Sequence, residues 1–212
     1  MGHSKASKAI THARLVEAAA AKFKERGFDG ISLSDLMKDL KLTHGGFYRH
    51  FDSRDELVGE ALDWALSQTA RTLRARLSDG GKSNFPAFVD FYLSEAHREG
   101  RAGGCAVAAL AGDAPRKNGA VQAKFREQIE ISLQIFSKAL GTEGPGSARS
   151  SAMLVLSALY GALIVARAVG DSPLSREILQ SVRNQILNLN ESAKKPRARR
   201  SKRRKPKSHT AV

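Results

Sequence analysis

The side chains best suited to chemistry cluster between Leu33 and Phe51, in the run LSDLMKDLKLTHGGFYRHF. His44, Arg49 and His50 can donate hydrogen bonds there, Tyr48 offers a phenol, and no acid stands between Asp39 and Asp52. A donor-rich, aromatic segment without carboxylates suits a polyanion. Arginine can pair bidentately with guanine, and a glycine such as Gly45 lets a helix come close to thymine methyls. Hydroxyls and imidazoles can hold phosphates, which position a protein without reading sequence.

Two helices must present these groups. Leu33, Leu36, Met37 and Leu40 have the i, i+3, i+4, i+7 spacing of a buried helix face. Ser32 is a suitable N-cap for that helix, with Asp35 three residues on. Thr43 caps the next helix, which reaches about His50 and turns Phe47 and Phe51 towards the core. A short basic and aromatic helix braced across a tight turn is the shape that enters a DNA major groove.

The rest of the chain also reads as helices, in an all-α fold without a convincing strand pattern. The first helix spans about Lys8 to Arg26, with Ile10, Ala13, Leu15, Val16, Ala19, Ala20 and Phe23 facing inward, and ends at Gly27. Ser53 opens a long fourth helix, favoured by Asp55 and Glu56 in its first turn. Further helices are expected at about Phe85–Arg98, Cys105–Ala111, Gly119–Leu140, Ala148–Val169 and Pro173–Leu189, with a loop over Gly141–Gly146. The helix from Ala148 is apolar around most of its girth, so it should be buried on most sides. Together with the Leu174, Ile178, Val182, Ile186, Leu189 stripe it suggests an interface with a second copy, with Leu156 and Ile178 as candidates to face the partner. An ordinary monomer core is the alternative.

The 212 residues carry a formal charge of +14, and ten Lys or Arg without an acid lie between Lys194 and Lys207. Taking those ten away leaves about +4, so the folded part is only mildly basic. The tail has too few apolar residues to form a core and is expected to be disordered. Residues 1–52 read as a helix-turn-helix DNA-binding unit, 53–190 as an effector-binding and dimerisation unit, and 191–212 as the basic tail. The single Cys105 excludes a disulfide within the chain and fits a reducing cytoplasm. No secretory signal is evident, and no apolar run looks long enough to span a bilayer.

Gly27-Phe28-Asp29-Gly30-Ile31-Ser32, Leu36-Met37, the run Leu42 to Phe51, and Ser53-Arg54-Asp55-Glu56-Leu57 resemble the N-terminal domain of TetR/AcrR-type transcriptional regulators. The segment Gly104 to Leu110 resembles the start of one C-terminal subtype. The resemblance implies a homodimer that binds double-stranded operator DNA through three N-terminal helices. It also implies a small-molecule pocket in the remaining helices, whose effector changes the spacing of the two reading heads; most members repress. Thr43 and Tyr48 match positions that hold the DNA backbone. His44, Gly45 and Arg49 are candidate base readers, although Arg49 could instead clamp a phosphate. His50, Ser32 and Ser34 are further candidate contacts, as is Arg54 at a helix N-terminus. Lys41 departs from the family, which has glycine at this turn.

Trp64, Phe88, Tyr92, Phe125 and Tyr160 sit on helices expected to line a cavity, placed between the Phe85, Gly119 and Ala148 helices. Cys105 and Arg167 are further candidate ligand contacts, Arg167 for an anionic effector. Each has a plainer role as core, or as surface for Arg167. The six histidines and one cysteine lack metal-ligand spacing, and no phosphate loop or nucleophile elbow is present. These absences lead us to expect neither an enzyme nor a metal or other cofactor. The competing reading is a nucleoid-type protein that coats DNA through its basic tail.

Overall fold

The computed structural model describes residues 5–79, 82–141 and 145–194; the side chains at 44, 78–79, 82–83, 145–147 and 192–194 are outside the described set, as is the basic run beyond Lys194. The described helices are α1 (Lys5–Arg26), α2 (Leu33–Asp39), α3 (His44–Phe47), α4 (Arg54–Leu77), α5 (Phe85–Tyr92), α6 (Glu95–Glu99), α7 (Ala106–Leu110), α8 (Gly119–Leu140), α9 (Pro145–Ala168) and α10 (Pro173–Lys194). A 3-10 turn at Ala114–Arg116 precedes α8.

The N-terminal head is α1 to α3 packed on the start of α4. Leu15, Val16, Ala19, Ala20 and Phe23 of α1 are buried, and α1 packs along α4. Ile10 and Ala13, expected inside, are exposed, Ile10 at 57%. Phe47 and Phe51 are buried as expected, with their rings stacked at 5.4 Å. The turn after α2 is a Schellman closure: Leu42 N–H reaches Met37 O at 2.9 Å and Lys41 N–H reaches Lys38 O at 3.1 Å. Its left-handed position is Lys41, at φ 54°. A non-glycine residue there costs about 1–2 kcal/mol, and the geometry that glycine would favour is kept.

The expected fifth helix is interrupted. Ser94 donates its hydroxyl to Phe91 O at 2.8 Å and accepts from His97 N–H at 3.1 Å, which ends α5 and caps α6. The all-α expectation holds, with one short strand pairing added to it. Ser78–Asp79 (β1) pairs antiparallel with Lys82–Ser83 (β2), two residues each, after α4.

The body is built on α4, α8, α9 and α10, with α9 packed between α8 and α10. On α9, Ala152, Val155, Leu156, Leu159, Leu163 and Ala166 are buried, whereas Met153, Leu154, Ile164 and Val165 are exposed. Leu156, expected to face a partner, is 4% exposed and belongs to the core of its own chain. The bilayer expectation needs a correction as well. Ala148–Ala168, with a mean hydropathy of 1.7, is long and apolar enough to cross a membrane by length and composition. In this fold, one side of that apolar surface forms the α8–α9–α10 core.

Candidate nucleic-acid interface and internal cavity

The exposed surface of α3 and its flanks collects most of the expected DNA-contacting residues. Thr43 caps α3, its hydroxyl accepting from Gly46 N–H at 3.2 Å. A Cβ added to Gly45 would meet nothing within 4 Å, so packing does not demand glycine there. Tyr48 is 62% exposed, its ring set edge-on against Phe47 at 5.1 Å. Arg49 and Ser34 are exposed. The side chain of His44 lies outside the described set.

His50 is half-buried. Its Nδ1 is shielded from solvent without a hydrogen-bond partner, and its ring lies 5.9 Å from that of His12. Burial, then repulsion from His12, Lys8 and Arg49, lowers its pKa, which leaves the ring neutral near pH 7. His12 is held against Glu60 of α4 at 2.7 Å and stacks on Phe51 at 4.5 Å. The sequence reading missed the contribution of α1. Ser7, Lys8 and Thr11 share an open groove of about 600 Å³ with Leu42, Gly46, Tyr48, Arg49 and His50, and no acid lines it. The signal was only the proximity of basic Lys5 and Lys8 in an unremarkable helix start.

Two expected DNA contacts have other duties. The Arg54 guanidinium donates to the carbonyls of Phe28 and Ile31 and lies 3.8 Å from Asp29. It braces the loop between α1 and α2, which corrects its assignment as a free phosphate donor. Ser32 caps α2 and gives its proton to Asp35 at 2.7 Å, so its hydroxyl is already engaged.

The same loop is tied to the body. Gly27, at φ 79°, lets Asp113 approach; a Cβ there would lie 2.9 Å from Asp113 Oδ2. That carboxylate accepts from Phe28 N–H at 3.2 Å, and Lys117 pairs with Asp29 at 2.6 Å. Buried Lys24 of α1 donates to Gly104 O at 3.3 Å, just before α7. Desolvation lowers the Lys24 pKa.

Behind Gly104 lies a cavity of about 50 Å³ between α4, α5 and residues 97–105. Thr69, Leu73, Phe88, Tyr92, His97 and Cys105 line it, with Gln68, Thr72, Phe91 and Gly103 also contributing. His97 is fixed on both sides. Cys105 N–H donates to its Nε2 at 3.3 Å, so Nδ1 carries the proton and donates to Tyr92 O at 2.7 Å. Burial lowers its pKa and leaves the ring neutral. Phe91 stacks on His97 at 5.3 Å and lies under the Arg76 guanidinium at 3.5 Å.

Only three of the expected ligand contacts, Phe88, Tyr92 and Cys105, line this cavity. It borders α4 and α5, whereas α8 and α9, expected to complete it, do not contribute to its lining. Trp64 packs half-buried against the core. Phe125 lines a separate open depression with Ala111, Pro115 and Ile129. Tyr160 stands behind the cavity, its ring 6.2 Å from that of Tyr92. Arg167 donates to His97 O at 2.9 Å and Arg98 O at 3.0 Å, so its charge stabilises a backbone turn and is not free for an anionic effector. Among the described residues, no group of three or more His, Cys, Asp or Glu could hold a metal.

The helix-turn-helix head on a helical body defines a class of DNA-binding regulators. Residues 15–61 match the family model for bacterial regulatory proteins of the tetR family, and residues 82–185 that for the LmrA/YxaF-like transcriptional regulator C-terminal domain. The chain belongs to the TetR family of transcriptional regulators. A helix-turn-helix-type transcriptional regulator of Mycobacterium tuberculosis is 28% identical over 186 residues, covering 82% of this chain and 93% of its own. The transcriptional repressor DhaR of Mycobacterium sp. is 34% identical over 65 residues, covering 31% of this chain and 33% of its own. A TetR transcriptional regulator from Chloroflexus aurantiacus superposes with a TM-score of 0.71 at 25% identity, covering 85% of this chain and 96% of that one.

Proposed function

We propose that the chain is a homodimeric repressor that reads a specific operator through α3 and releases it when a small molecule enters the body. The observation that carries the DNA reading is the exposed, acid-free surface formed by Thr43, Gly45, Tyr48 and Arg49, joined by Lys8 and Thr11. Thr43, Tyr48 and His50 hold phosphates, and Gly45 and Arg49 face base edges. His44 joins the base readers on sequence grounds. Ser34 contacts the backbone at the start of α2. The unit boundaries are those of the sequence: residues 1–52 bind DNA and 53–190 carry effector and partner.

Dimerisation is supported by the exposed apolar face of α9, Met153, Leu154, Ile164 and Val165, and by exposed Leu174 and Leu189 on α10. Two heads then meet half-sites about 34–36 Å apart. The effector enters the cavity beside Cys105. With only about 50 Å³ available, a ring-sized ligand must shift the 103–105 segment, which Lys24 links to α1. A ligand alters operator affinity only by favouring one state over the other. The basic tail adds sequence-independent affinity.

The test is binding-site selection with the full chain, followed by competition with random DNA. Enrichment of one palindromic site that resists random competitor supports the reading. Even displacement by any sequence would instead indicate a DNA-coating protein.

A further inference from the structure

The loop between α1 and α2 is gripped from the body at two points. Asp113 Oδ2 accepts from Phe28 N–H at 3.2 Å, and Lys117 Nζ reaches both carboxylate oxygens of Asp29, at 2.6 and 2.8 Å. These partners stand 85 and 88 positions apart in sequence. Gly27 is suited to the contact: its φ of 79° favours glycine, and a Cβ would lie 2.9 Å from Asp113 Oδ2.

The gripping side is held firmly. Asp113 and Lys117 flank the 3-10 turn, whose Ala114 is buried. Asp113 N–H bonds to Leu110 O at 3.0 Å, Arg116 N–H to Asp113 O at 3.0 Å and Lys117 N–H to Ala114 O at 3.1 Å. Arg116 also holds the other carboxylate oxygen of Asp113, at 2.5 Å, and Asn118 caps α8 just beyond. The gripped side belongs to the head. Arg54 ties the carbonyls of Phe28 and Ile31 to the start of α4, and Ser32 caps α2 immediately after. The turn at Lys41 then joins α2 to α3. A shift of the loop therefore moves the reading helices with it.

We infer that Asp113 and Lys117 are positioning residues for operator recognition: acting through the loop, they latch the head to the body and fix the angle at which α3 meets its half-site. The inference rests on the two-headed reading proposed above. In a dimer the two bodies are joined, so head angle sets the distance between the reading helices. One base pair is a displacement of about 3.4 Å along the duplex, so a small tilt changes which spacing fits. The two ties are unequal, because a carboxylate bond to a backbone N–H is stronger than an exposed lysine–carboxylate pair.

The test uses the full chain and its selected palindrome, with the spacer between half-sites lengthened or shortened by single base pairs, beside a duplex with a single half-site. A one-base-pair change should weaken the parent at least about 10-fold, since one head then meets the wrong bases. In Asp113→Ala/Lys117→Ala the same change should cost about 3-fold or less, because unlatched heads tilt to follow the half-sites. Affinity at the parent's own spacing should fall roughly 3- to 10-fold, as the heads are no longer preorganised. Single-half-site affinity should stay within about 2-fold, since the α3 contacts are untouched. Asp113→Asn keeps an acceptor for Phe28 N–H and should keep the parent's spacing profile. Lys117→Ala alone removes only an exposed ion pair, leaves the head folded and should flatten the profile to a lesser degree. An unchanged profile in the double variant would overturn the inference. So would half-site affinity falling in step with the profile, which marks damage to the head itself. A parent indifferent to spacing would reject the two-headed operator reading and this inference with it.

Discussion

The head and the body use polar residues in opposite ways. In the head, Tyr48, Arg49 and Ser34 are exposed, and their value lies in groups left free for an outside partner. In the body, His97, Thr69, Arg98 and Arg167 are mostly enclosed and engaged with backbone or side chains. The lesson is that residue type identifies a contact surface where side chains are free. Where they are buried, role depends on partners contributed by other elements.

Arg54 and Leu156 lie on the wrong side of that division for their expected roles, so substitutions there should give the largest effects. Leu156→Asp should cost more than about 4 kcal/mol, since it buries an unpaired charge in the α9 core. Leu154→Asp, at a position 57% exposed, should keep the fold and weaken dimers. Thermal melts and sedimentation at micromolar concentration distinguish the two; a folded but monomeric Leu156→Asp protein would contradict the core assignment.

Arg54→Ala should cost roughly 1.5–3 kcal/mol of head stability, discounted for partial exposure, and weaken all DNA sequences alike. Lost binding with unchanged stability would return Arg54 to the DNA surface. Arg49→Ala should lose about 1–3 kcal/mol on the operator and relax one or two base positions. Tyr48→Phe should weaken every sequence by about 1 kcal/mol. Site selection on both variants checks the division of labour, and altered preference in Tyr48→Phe alone would reverse it.

Lys41→Gly should stabilise the head by about 1 kcal/mol by removing the left-handed strain at φ 54°. Denaturant melts measure this, and a loss of stability would show that the lysine side chain holds something glycine cannot. The smallest effect concerns pH. His97 has a folded pKa below its ordinary 6.5, so the unfolded chain binds more protons. Its contribution is present above pH 6.5 and is lost as pH falls through the lowered folded value. Melts from pH 7.5 to 5 should show a steeper decline for the parent than for His97→Gln; parallel curves would remove His97 as the cause.

The helix-turn-helix was legible because its signals are local. The cap at Thr43, the stop at Gly27 and the spacing of Phe47 and Phe51 act within a few residues. Ser94 broke a helix that its apolar pattern favoured, because one hydroxyl served both ends of the break. Trp64 and Phe125 had the right residue types for a ligand box, but helix rotation turned them elsewhere.

By itself, then, the sequence determined the helical fold and the donor-rich, acid-free character of the α3 surface, since periodicity, caps and free donors are properties of short segments. Only the tertiary structure decided that Arg54 braces a loop and that Arg167 serves backbone carbonyls. Those roles arise between residues separated by as many as 70 positions, and their distances are set by how the helices pack.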